Sequence, residues 1–140
     1  MRKKKSMAAE PKMQWSEQID LAATHGLLGK RLYVISSKPT NGLGPILENV
    51  EQHIAYQTKL ERDGIMFAAG PLASEDSKEW LGDGLFVYRA ESIDVARQIA
   101  EADPMHSSGA RDFTLREWLL NEGTYSVQVY YSAGISPKVT

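Results

Sequence analysis

The chain is 140 residues long, 42% hydrophobic and without cysteine, and its 16 Lys and Arg against 18 Asp and Glu give a net charge of -2. This is the composition of one soluble globular domain, large enough to withdraw about 68% of its unfolded surface from water. The lack of cysteine excludes disulfides, thiolate metal centres and cysteine nucleophiles, and only His25, His53 and His106 supply imidazoles.

The near-neutral balance hides a division. Five basic residues against Glu10 give residues 1–12 a charge of +4, and the remainder, 11 basic against 17 acidic, stands at -6. A surface that tracks phosphates needs Lys and Arg clustered on a folded face, and only the leading Arg2–Lys5 run clusters, so the acidic body argues against nucleic acid as a partner. No apolar stretch follows those basic residues as a secretory leader requires, and no 18-residue apolar run offers a membrane span. The expectation is a cytoplasmic protein that binds no membrane. Residues 1–14 read as a disordered or arm-like basic segment, and 15–140 as a single domain.

In chain order, Ile19, Ala22, Ala23 and Leu27 recur at helical spacing between Trp15 and Leu28, with Ser16 placed as N-cap and Gly29 as terminator. Lys30 to Ser37 is β-branched and aromatic, and runs into the turn cluster Lys38-Pro39-Thr40-Asn41-Gly42. The longest helix opens at Gly44-Pro45, where proline's missing N–H costs nothing, and runs to Asp63, with Gly64 at the left-handed C′ position. Strands are expected over Ile65–Gly70 and Gly84–Ala90. Ser92 caps a second amphipathic helix, which must stop near Ala102 because Pro104 disfavours helical geometry at Asp103. After a turn over His106–Gly109 come two more β-prone stretches, Phe113–Leu119 and Tyr125–Ser132.

The order after Gly29 is β-α-β-β-α-β with an extra strand. That is the α+β, ferredoxin-like arrangement: an antiparallel sheet with both helices on one face, here with an added N-terminal helix and an added C-terminal strand. Apolar residues on both faces of the first strand (Leu32 and Val34, Tyr33 and Ile35) and of the Gly84–Ala90 strand leave an open face that needs a partner. A homodimer packed through its sheet faces, with the last strand crossing to the neighbour, is the expectation.

Around the long helix the stripe Ile46, Leu47, Val50, Ile54 and Leu60 spans about 140°, and His53 falls inside it, aimed toward the sheet. On spacing alone a core histidine satisfied by one carbonyl is the plainer reading. Asp103 is the partner to look for: it follows a helix on the same sheet face, and Pro104 holds its backbone extended. A carboxylate there would fix the imidazole tautomer and raise its basicity, although an Asp-Pro pair is also a common way to end a helix. His106 could approach the same site or lie in a surface turn, and His25 suits the negative end of its own helix. Gly70-Pro71 is a turn that also lets a ligand approach the backbone. Tyr33, Phe67, Tyr88 and Trp118 are candidates for an aromatic pocket or for sheet packing. Gly42-Leu43-Gly44 lacks the rest of any nucleotide fingerprint, and no nucleophilic-serine or H-E-x-x-H motif occurs.

Taken together, His53-Ile-Ala-Tyr-Gln, Leu60-Glu-Arg-Asp-Gly64, Ala69-Gly70-Pro71-Leu72, Ser92-Ile-Asp-Val-Ala-Arg and Ala100-Glu-Ala-Asp103-Pro104, with Gly109 and Trp118, resemble the YciI-like (YCII-related) family of small dimeric α+β-barrel proteins over about residues 31–120. The resemblance implies a ferredoxin-like subunit, a dimer or higher oligomer built across the sheets, and a pocket with a paired His and Asp, which fall on His53 and Asp103. One branch of the family resembles aromatic-degradation enzymes, including a dehydrochlorinase acting on a chlorinated hydroxyquinol, and the barrel is shared with muconolactone isomerases. The expectation is a lyase or isomerase that needs no cofactor and no metal: His53 and Asp103 act on a small organic substrate, a hydroxyquinol or lactone, gripped by Phe67, Gly70, Pro71, Tyr88, His106 and Trp118. The alternative is a non-catalytic module of the same fold that holds a small ligand or a protein.

Overall fold

The computed structural model describes residues 10–138, so the expected basic arm lies largely outside the described residues. The chain forms two compact units, Arg31–Leu119 and the segments flanking it.

In the flanking unit, α1 spans Trp15–Thr24. It begins one residue before the expected cap. Gln14 is extended, and its backbone N–H donates to Glu17 Oε2 at 3.1 Å, which satisfies an N-terminal donor without Ser16. It also ends sooner than the apolar spacing suggests, because Gly26, at φ +67°, supplies the left-handed residue three positions before Gly29.

The Arg31–Leu119 unit holds the sheet. β1 (Lys30–Pro39) leads to α2 (Gly44–Arg62), which closes in the expected way. Gly64 at φ +75° lets its own N–H bond Glu61 O at 3.1 Å and the Ile65 N–H bond Leu60 O at 2.9 Å, the paired bonds of a Schellman end. β2 (Met66–Pro71) and β3 (Gly84–Tyr88) follow, then α3 (Ile93–Glu101), whose cap Ser92 accepts from the Val95 N–H at 3.2 Å. A short α4 (Pro104–Ser107) replaces part of the expected turn, and β4 covers Arg111–Leu120. The strand order is β2–β3–β1–β4, with β3 antiparallel to both β1 and β2, as the ferredoxin-like order requires.

Register decides which side chains meet the helices. Tyr33, Ile35 and Ser37 lie opposite Tyr88, Phe86 and Gly84, and this face carries the core of Ile35, Leu60, Met66, Phe86, Tyr88 and Ala100. Val34 and Ser36 pair with Val87 and Leu85 on the other face. In β4 the alternation places Phe113 and Leu115 against the core and turns Thr114, Arg116 and Trp118 away from it. A second cluster, Ile46, Met105 and Ala110, is joined by Val50 and Trp80.

The expected last strand is a hairpin instead: β5 (Ser126–Tyr130) pairs antiparallel with β6 (Gly134–Lys138), and the two form a separate two-stranded sheet. Gly134, at φ +81°, lets the chain reverse where the sequence signal was weak. Among the described residues no helix is long and apolar enough to cross a membrane.

Candidate active site

Helix α2 and the α3–α4 junction bring His53 and Asp103 together. Asp103 is extended (φ -63°, ψ 129°), as a residue before proline should be, and it caps α4. Its Oδ1 accepts the Met105 N–H at 2.9 Å and His53 Nδ1 at 2.8 Å. Its Oδ2 accepts His53 Nδ1 at 2.9 Å and Gln57 Nε2 at 3.0 Å. Gln57 reaches the carboxylate because it stands one helical turn after His53 on the same face.

The carboxylate is fully buried. Burial pushes its pKa up, but the hydrogen bond and charge of His53, the Met105 amide and Gln57 outweigh this and hold it below its usual value. An ionised carboxylate only accepts, so His53 Nδ1 must carry a proton, and the neutral ring then keeps its lone pair on Nε2. Nε2 makes no hydrogen bond among the described residues, and the side chain, 12% exposed, lines a cavity of about 710 Å³. Its ring lies 5.4 Å from that of Phe86.

Val50, Ile54, Leu72, Trp80, Phe86 and Met105 make the cavity walls largely apolar, and Gly70 and Pro71 line it too. The β2–β3 loop forms the rim through Ser77, Lys78 and Glu79. Ser77 sits at φ +61°, which is uncommon for a non-glycine residue. Trp80 is fixed by its indole N–H, which donates to Asp83 O at 2.8 Å.

The other residues singled out from the sequence lie elsewhere. His106 Nδ1 donates to Ala100 O at 2.6 Å, leaving Nε2 to accept the Ser37 hydroxyl at 2.7 Å. Burial pulls its pKa down, against the opposing pull of the Ala100 carbonyl. It borders a second cavity with Glu101, Arg111, Asp112 and Phe113. Tyr88 is fully buried in the core, and that burial drives its phenol well above its usual pKa. Phe67 occupies the β2 bulge beneath the Arg89 guanidinium, 5.1 Å away. Trp118 is 39% exposed on the far face of the sheet. None of these four lines the His53 cavity, whose aromatic walls are Phe86 and Trp80.

Among the described residues no three His, Asp or Glu side chains gather in a way that would hold a metal ion. The model of the YCII-related domain matches residues 31–119. The chain belongs to the YCII-related family. The matched span coincides with the Arg31–Leu119 unit and contains the whole site, whereas α1 and the β5–β6 hairpin lie outside it. The uncharacterised protein YjpA of Bacillus subtilis (strain 168) is 28% identical over 75 residues, which cover 54% of this chain and 81% of YjpA. A solved structure, the 5-chloro-2-hydroxyhydroquinone dehydrochlorinase TftG of Burkholderia phenoliruptrix AC1100 in complex with 2,5-dihydroxybenzoquinone, aligns with a TM-score of 0.48 at 22% identity, over 62% of this chain and 92% of that one.

Proposed function

We propose that the protein is a small-molecule enzyme in which His53 transfers a proton and Asp103 orients the imidazole and stabilises the imidazolium. One observation carries this reading: the buried Asp103 carboxylate grips His53 Nδ1 with both oxygens, so the basic Nε2 is left on the side of an apolar cavity. Nε2 takes a proton from a C–H or O–H of the substrate, and the electron pair moves onto a conjugated oxygen as an enolate or phenolate. Returning the proton at another carbon makes the step an isomerisation. Expelling a β-substituent with its bonding pair makes it a lyase reaction. Neither route calls for a cofactor.

Phe86 and Trp80 suit a flat ring, which favours hydroxyaromatics and unsaturated lactones as the substrate class. Assembly as a homodimer through the open sheet face is part of the same proposal, supported by Leu85 and Trp118, both more than a third exposed there.

The test is solvent-deuterium incorporation into a panel of hydroxyquinols and unsaturated lactones, followed by proton NMR. Wild type should exchange specific positions, and His53→Ala should slow the exchange by about 10²–10⁴-fold. Binding without exchange, with affinity kept in His53→Gln, would instead support a non-catalytic ligand-binding module.

A further inference from the structure

One charged side chain at the cavity remains unexplained by the proton-transfer pair. Arg111 opens β4 on the same side of the strand as Phe113 and Leu115, and it is only 3% exposed. Among the described residues its guanidinium makes a single hydrogen bond, from Nε to Gly82 O at 2.8 Å. Nη1 is buried and has no hydrogen-bond partner among the described residues. Asp103 and Asp83 act on the guanidinium through their charge alone, and together they oppose the burial that pulls its pKa down. An arginine starts so high that it stays charged.

Three details set this cation toward a ligand. Arg111 lines the same cavity as His53. Its Cζ lies 5.9 Å from the centroid of the Phe86 ring, the ring that His53 also packs against. Gly84, another cavity residue, sits beside it, and a Cβ there would come within 3.3 Å of Nη1 and 2.9 Å of Phe86 Cε1. Glycine at 84 thus keeps a side chain from crowding that side of the guanidinium. The other charged side chains of the lining, Lys78 and Glu79, are exposed on the rim and of opposite sign, so Arg111 is the buried ion among the residues that line the cavity.

We infer that Arg111 makes this an oxyanion-recognising cavity: the ligand is a small ring compound with a carboxylate, phenolate or enolate oxygen, and Nη1 of Arg111 receives that oxygen. The inference rests on the proton-transfer reading for what happens next, because removal of a substrate proton by His53 creates an oxyanion that a guanidinium on the same Phe86 ring is placed to stabilise. A buried donor of this kind discriminates strongly, since a ligand lacking the anion leaves it unpaired.

Benzoate and its neutral counterpart benzamide are the probes, titrated into the full chain while the Trp80 indole N–H signal is followed by ¹⁵N-correlated NMR. Wild type should bind benzoate about tenfold to a hundredfold more tightly than benzamide. His53→Ala should keep that preference, whereas Arg111→Met should lose it. Absence of deuterium exchange in wild type with the benzoate preference intact would refute the proton-transfer reading alone. Equal affinities in wild type, no response to benzoate, or a preference that survives Arg111→Met would overturn the role of Arg111. Should Arg111→Met not fold, Gly84→Ala decides between the outcomes: its Cβ encroaches on Nη1, so it should weaken benzoate more than benzamide, and an equal effect on both counts against the inference.

Discussion

Asp103→Asn separates the charge of the carboxylate from its shape. The amide oxygen can keep the Met105 N–H of the α4 cap, but an NH₂ group then occupies the place of Oδ2, facing His53 Nδ1 at 2.9 Å and Gln57 Nε2 at 3.0 Å. Gln57 can turn its own oxygen inward. His53 Nδ1 then meets the amide oxygen, already engaged by the Met105 N–H, at 2.8 Å and the NH₂ donor at 2.9 Å; accepting from the NH₂ moves the ring proton to Nε2, so the nitrogen that faces the cavity changes from acceptor to donor. Converting charge-assisted bonds to neutral ones costs about 1 kcal/mol each, partly offset by no longer burying a charge, for a net loss of about 1–3 kcal/mol. At this chain length that lowers Tm by about 3–15 °C. Deuterium exchange should fall by about 10²–10⁴-fold, matching His53→Ala, because the base is gone while the ring remains. The folded-state pKa of Asp103 is depressed, so its stabilisation is complete above the unfolded value of about 3.9 and is lost as pH falls through the folded one. The stability gap between wild type and Asp103→Asn should therefore close in strong acid. Calorimetry measures the stability, and ¹⁵N shifts of the His53 ring report its tautomer. A ring that keeps its Nδ1 proton in the variant, with an unchanged Tm, would refute the reasoning.

His106 gives a second pH signature, of different origin. Its folded pKa is lowered, so the unfolded chain takes up the proton first; stability should decline as pH falls below about 6.5, and the penalty should be complete below the folded value. Urea midpoints across that range should show the slope in wild type and not in His106→Gln; equal slopes would count against it. For assembly, Trp118→Glu places a charge on the open sheet face and should shift a dimer to monomer in sedimentation equilibrium. A monomeric wild type would remove the dimer proposal.

Much of this arrangement can be read from the sequence because it follows from local rules. The Schellman end at Gly64, the Ser92 cap and the extended Asp103 before Pro104 each depend on residues within a few positions. His53 stands out because helical period alone puts it in the apolar stripe. Gln57 carried the same signal, since it is four residues from His53. Strand parity was the weaker guide. Trp118, Phe67 and Tyr88 are aromatic and near the right elements, but residue type does not say which face a strand residue takes; a bulge at Phe67 and the even position of Trp118 send both away from the cavity. Arg111 was missed for the complementary reason. It shares the inward parity of Phe113 and Leu115, and a charge at an inward position was the available clue. The β6 strand carried little signal, since its five residues include both Gly134 and Pro137.

The Asp103 carboxylate that holds the imidazole also starts a helix, so the proposed chemistry and the folding draw on the same atoms. On the proposed function, a replacement that removes both oxygens alters reactivity and unpins α4 at once, which ties the acid–base pair to the integrity of the scaffold. Part of the cavity wall carries no such double duty: Ile54, Leu72, Ser77 and Lys78 touch neither His53 nor Asp103 through any hydrogen bond among the described residues. On the proposed function, the substrate can therefore be exchanged by redrawing the β2–β3 loop and the outer turn of α2, while His53 and Asp103 stay in place.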